Sequence, residues 1–199
     1  MTSPTPTTPT PLSPPAAPAE TRITPLLARN DTFIRDHGPQ PLAPPTASLV
    51  LIACLDHRVD PAIILGLRLG DAPVIRNAGG RVTPPVIHDV AYLAFLARRV
   101  FQLSGPLFEV AVLHHTQCGT GFLADPDFRG EAATATGLSE AALAASEVAD
   151  PYVTVHTDVE RLLASPLLPA EISVSGHVYD TDTGRLHTVL DARYPVTSL

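Results

Sequence analysis

Two cysteines are the only thiols in this 199-residue chain, and each lies in a run of groups able to bind a metal or handle a proton. The first run is Cys54-Leu55-Asp56-His57-Arg58 and the second is His114-His115-Thr116-Gln117-Cys118. Cys54 follows the apolar stretch SLVLIA and Cys118 lies just past EVAVLHH, so both fall where a strand ends. Open α/β sheets place their ligand sites at such ends. Two thiolates and one imidazole form a Cys₂His set, which leaves the fourth tetrahedral position of a zinc ion free for water, as catalytic zinc requires. No fourth protein ligand that would close the site is evident. Spacing alone leaves two other readings open: buried core thiols with histidines capping a strand end, or a disulfide.

The elements that must position these groups can be read from the apolar pattern. Ala47 to Cys54, Ala72 to Asn77 and Leu107 to Leu113 are short continuous apolar runs of the kind buried on both faces of a parallel sheet. Asp60 before Pro61 is an N-cap followed by a first-turn proline and predicts a helix over 61–69. Ala78-Gly79-Gly80 interrupts the chain, and Thr83-Pro84 opens a second helix with Ile87, Val90, Ala91, Ala94, Phe95 and Ala97 on its apolar face. Arg98 and Arg99 read as its solvated end. Residues 119–150 are Ala- and Thr-rich, helical in parts and the least legible, and Val153 to Ala164 reads as a further helix closed by Pro166. Ile172 to Tyr179 and Leu186 to Leu190 flank Asp180-Thr181-Asp182-Thr183-Gly184, a hairpin signal. The expected fold is α/β, a mostly parallel sheet of about five strands with the last antiparallel and helices on its faces.

Composition sets the outer bounds. Residues 1–24 form a Pro/Thr-rich stretch too poor in apolar groups to offset chain ordering, and are expected to be a disordered tail. Residues 25–199 are expected to form one zinc-binding catalytic domain, in which a helix from Pro25 to Asp36 is set off by a proline-rich linker and serves to dock. The net charge of −7, with all 13 basic residues being Arg, argues against nucleic acid as a partner. No apolar run reaches the roughly 18 residues a bilayer span needs, and no leader pattern opens the chain, so a cytoplasmic protein without a membrane partner is expected.

Taken together, Cys-x-Asp-x-Arg at 54–58 and His-x-x-Cys at 115–118, with a glycine-containing strand between them, resemble the paired signatures of the β-carbonic anhydrases. Gly70 to Gly80 (GDAPVIRNAGG) is similar to that family's second-strand segment, and His177 to Leu186 to its terminal hairpin. The resemblance covers roughly residues 25–192. It implies one Zn²⁺ per chain on Cys54, His115 and Cys118, a dyad of Asp56 and Arg58 beside the metal, and a homodimer or dimer of dimers with the 25–36 helix packed on a neighbour. It implies zinc-dependent hydroxide attack on a linear gas, carbon dioxide first and carbonyl sulfide as the alternative, whereas a zinc or redox module without turnover would have no need of the dyad. A bidentate arginine keeps a neighbouring carboxylate off the open metal site. Gln117 stands where many relatives carry Asp or a small residue, and Phe122 lies where relatives vary and narrows the pocket. His114 is read as buried beside the ligand, and His57 as an exposed loop residue.

Overall fold

The computed structural model describes residues 21–195. The chain divides into two compact units, Met1–Pro41 and Leu42–Leu199. Within the first, α1 spans Thr24–Phe33 and buries none of its residues, while the tail expected over 1–24 falls almost wholly outside the described residues. Among the described residues no helix is long and apolar enough to cross a membrane.

The second unit is built on five strands: β1 (Leu49–Cys54), β2 (Val74–Asn77), β3 (Phe108–His115), β4 (Ile172–Tyr179) and β5 (Leu186–Arg193). Their order across the sheet is β2-β1-β3-β4-β5, parallel except for the antiparallel β4–β5 pair. Side chains alternate across a strand, so Val50 and Ile52 enter one core layer and Leu51 and Ala53 the other. The two layers are unequal. The larger holds the inner stripes of α3 (Pro84–Arg99) and α6 (Pro151–Leu163); the smaller is covered by Ile64 of the short α2 (Pro61–Ile64) and by Leu67 and Ala72 after it.

Three aspartates each precede a proline at a helix start. Asp60, Asp125 and Asp150 accept from backbone N–H groups in the first turns of α2, α4 (Pro126–Thr136) and α6. Each carboxylate satisfies donors that the helix leaves free, while the proline supplies the helical φ. The 61–69 helix is shorter than expected because Gly66, at φ 65°, closes it in a Schellman turn in which Leu67 N–H donates to Ala62 O. On α3 the buried stripe is Val86, Val90, Ala94 and Ala97, whereas Phe95 faces out. The segment after Cys118 resolves into a 3₁₀ turn (Gly119–Ala124), α4 and α5 (Glu140–Ala144).

Candidate metal centre and its surroundings

β1 and β3 are hydrogen-bonded neighbours, and their C-terminal ends carry Cys54 and His115 to one edge of the sheet. Cys118 follows after the Thr116–Gln117 turn. Among the described residues these three are the one set of such groups close enough to share a metal ion, with ligand atoms within 4.8 Å of one another. All three are buried, at 3%, 1% and 8% exposure. The two sulfurs stand 3.9 Å apart, unbonded, and close to the about 3.8 Å edge of a tetrahedron with zinc–sulfur bonds near 2.3 Å. The disulfide reading is therefore set aside.

The histidine is oriented by its own backbone. His115 Nδ1–H donates to Thr116 O at 2.9 Å, which leaves the lone pair on Nε2, and Nε2 is buried with no hydrogen-bond partner. An unpartnered imidazole nitrogen beside two buried thiols is costly in a folded protein unless a cation completes it. The electrostatics agree. Hydrogen bonding to Cys118 and burial push the Cys54 thiol far up, and hydrogen bonding to Cys54 pulls Cys118 far down. Burial would lower His115, but the facing Cys118 more than offsets it and raises the imidazole. The donor set is an anionic pocket that fits a soft divalent cation.

Asp56 and Arg58 stand beside the pocket. Arg58 Nη2 and Nε donate to the two carboxylate oxygens at 2.6 and 3.0 Å, and the Arg58 backbone N–H adds a bond at 2.9 Å. The guanidinium holds the Asp56 carboxyl well below the usual carboxylate range. Asp56 N–H in turn donates to Cys54 Sγ at 3.4 Å. His57 is on the surface, its side chain 93% exposed and Nδ1 3.7 Å from Asp56. Thr120 Oγ1 lies 3.2 Å from Cys118 Sγ. A cavity of about 350 Å³ opens over Cys54, Asp56, Ala78 and Thr120, and another of about 370 Å³ is bounded by Gln117, Phe122, Val148 and Ala149.

Sequence reasoning missed the braces of this site. Arg76 of β2 donates to Cys54 O at 2.9 Å and Asp56 O at 2.7 Å and pairs with the Asp60 cap at 3.1 Å, pinning the whole 54–60 loop. Asn77 clamps Arg81 through both amide groups at 2.8 Å, which folds Gly79 and Gly80 into a tight turn. Gly80, at φ 66°, leans on β1 so closely that a Cβ there would sit 2.8 Å from Cys54 N. His114, on the opposite face from His115, is buried: Nδ1 lies 2.8 Å from Thr154 Oγ1 and Nε2 3.3 Å from Asp158. Asp158 also receives Arg81 Nε and Arg161 Nη1, each at 2.6 Å. Of that cluster the sequence reading places only His114, as a buried residue beside the ligand.

Comparison with known proteins follows the same lines. Residues 49–147 match the family described as "Carbonic anhydrase". Beta-carbonic anhydrase 1 of Mycobacterium tuberculosis is 33% identical over 152 residues, covering 76% of this chain and 87% of that protein. A carbon disulfide hydrolase of Acidithiobacillus thiooxidans is 29% identical over 72% of this chain and 77% of its own length. The crystal structure of carbonic anhydrase from Streptococcus mutans superposes with a TM-score of 0.70 at 32% identity, over 86% of this chain and 99% of that one. With its sheet order, its Cys/His/Cys pocket and this degree of likeness, the chain belongs to the β-carbonic anhydrase family of enzymes.

Proposed function

We propose that this chain catalyses the reversible hydration of carbon dioxide to bicarbonate with one zinc ion held by Cys54, His115 and Cys118. The observation that carries the reading is the donor set: two sulfurs 3.9 Å apart with an imidazole whose buried Nε2 has no partner. When bound there, zinc supplies the Lewis acidity that makes water a nucleophile near neutral pH.

The rest falls to the chain. Asp56, kept ionised by Arg58, is too weak a base to carry a proton at neutral pH and instead accepts a hydrogen bond from the reacting water, orienting it. Arg58 fixes the carboxylate by two parallel bonds and so keeps it from occupying the metal's open position. Val59 and Val148 pack against Cys54 and Cys118 and keep water from the sulfurs. A homodimer or dimer of dimers, in the cytoplasm, belongs to the same reading.

Hydrolysis of carbonyl sulfide at the same centre is the second reading, supported by the likeness to a carbon disulfide hydrolase and by Phe122 at the rim of the 370 Å³ cavity. Metal content and turnover of both gases, measured on one preparation, test the proposal: one zinc per chain with faster carbon dioxide turnover is expected. A zinc-replete protein inactive on both gases would overturn it.

A further inference from the structure

Gln117 stands between the proposed ligands His115 and Cys118 and has φ 54°, a left-handed conformation that a residue with a Cβ adopts only when its surroundings impose it. Two contacts do so. Its side-chain amide donates to both oxygens of Asp182, each at 2.8 Å, and its carbonyl accepts from Arg58 Nη2 at 2.9 Å. A carboxylate can only accept, so the amide's orientation is settled by its partner.

Asp182 lies on the β4–β5 hairpin, and that hairpin is sewn to the turn after β3 at neighbouring positions. Thr116 N–H donates to Tyr179 O at 3.0 Å, and Thr181 N–H donates to Thr116 Oγ1 at 2.9 Å. Asp180 orders the hairpin itself by accepting from the N–H groups of Asp182 and Thr183, at 2.9 and 3.3 Å. An unbroken chain of contacts thus runs from the hairpin carboxylate through the Gln117 peptide to the Arg58 guanidinium that clamps Asp56. Asp at 117 in this chain would set two carboxylates against each other, so Gln117 and Asp182 are a matched pair.

We propose that Gln117 and Asp182 are positioning residues, through which the β4–β5 hairpin holds the Gln117 carbonyl against Arg58 and thereby fixes the Asp56–Arg58 dyad. The inference rests on the reading of that dyad given above. Neither residue touches substrate; both act through Arg58.

The test uses the full chain with Asp182→Ala, Gln117→Gly, Arg58→Ala and the Asp182→Ala/Arg58→Ala pair, each assayed for zinc, melting temperature, kcat and KM for carbon dioxide. The Arg58 Nε–H signal is followed by NMR. Gly at 117 keeps the carbonyl and tolerates the positive φ but loses the amide. Asp182→Ala and Gln117→Gly are expected to keep zinc and fold normally, and to lower kcat about three- to ten-fold with little change in KM, the net worth of one ordinary hydrogen bond. The Arg58 Nε–H signal should broaden in both, and Asp182→Ala should cost nothing more once Arg58 is absent. Parental kcat and an unchanged Arg58 signal in Asp182→Ala would overturn the inference, as would losses that multiply in the double variant. If Arg58→Ala itself keeps parental turnover, the dyad reading fails instead, and the Arg58 signal alone then decides whether the hairpin positions it.

Discussion

Two of the Asp–Arg pairs among the described residues share a two-bond local geometry and have opposite placement. Asp56–Arg58 joins residues two apart on a loop, with side chains 14% and 41% exposed; Asp158–Arg81 joins α6 to the turn after β2 across 77 positions, with side chains 0% and 7% exposed. The first pair is made by local chain geometry and stands at a cavity, where solvent weakens its attraction and its value lies in where it holds a carboxylate. The second is a desolvated cluster in which one carboxylate faces two guanidinium groups and an imidazole. Such a cluster adds little over an apolar core but becomes very costly when one member is removed. On the proposed function, chemistry falls to the exposed pair, and stability depends on the buried one.

The largest expected effects concern the proposed ligands. Cys54→Ser, His115→Ala and Cys118→Ser should each strip zinc and abolish turnover, because two remaining donors hold a catalytic zinc poorly. Metal analysis decides, and full occupancy in all three would remove the assignment. Next, Arg58→Ala should retain zinc yet lose about 100-fold in turnover, as Asp56 swings free of its clamp. Asp56→Ala, which cannot occlude the metal, is the companion. Near-parental turnover in Arg58→Ala would erase the functional half of the comparison.

Asp158→Asn reverses the pattern: zinc-site chemistry should survive in whatever folds, while unfolding free energy falls by about 3–5 kcal/mol, because two guanidinium groups lose their buried carboxylate. Chemical denaturation measures it. Burial would raise the Asp158 carboxyl, but the facing His114 and the bond from Arg81 more than offset this and hold it below its ordinary value of 3.8. A depressed folded pKa contributes stability that is present above the unfolded value and is lost as pH falls through the folded one. The stability curves of the parent and Asp158→Asn should therefore converge as pH drops below about 4; parallel curves would show that Asp158 is not the acid-sensitive group.

Smaller effects should follow from the backbone. Gly80→Ala meets both the positive φ and the Cys54 amide, and should cost about 2 kcal/mol and weaken zinc retention. Asp150→Ala removes only the cap of α6, and a loss of about 1 kcal/mol with unchanged metal content is expected.

Much of the sheet was legible because buried parallel strands are continuous apolar runs, as in β1 and β3. Helix starts were legible where Asp precedes Pro, a signal that was available at Asp125 and Asp150 as well as at Asp60. The end of α2 was not foreseen, because Gly66 could be recognised as a stop only once its left-handed conformation was seen.

Of the site, the sequence by itself determined the donor types and their places at strand ends, because those depend on residue chemistry and local pattern; the Asp56–Arg58 dyad entered only through the family resemblance. That β1 and β3 are adjacent, so that Cys54 meets His115 and Cys118, follows from sheet order, which only tertiary packing decides. The same holds for Arg76 on the 54–60 loop, for the Asp158 cluster and for the Gln117–Asp182 bond. Each joins groups far apart in the chain, and no local propensity encodes which distant partner a side chain will find.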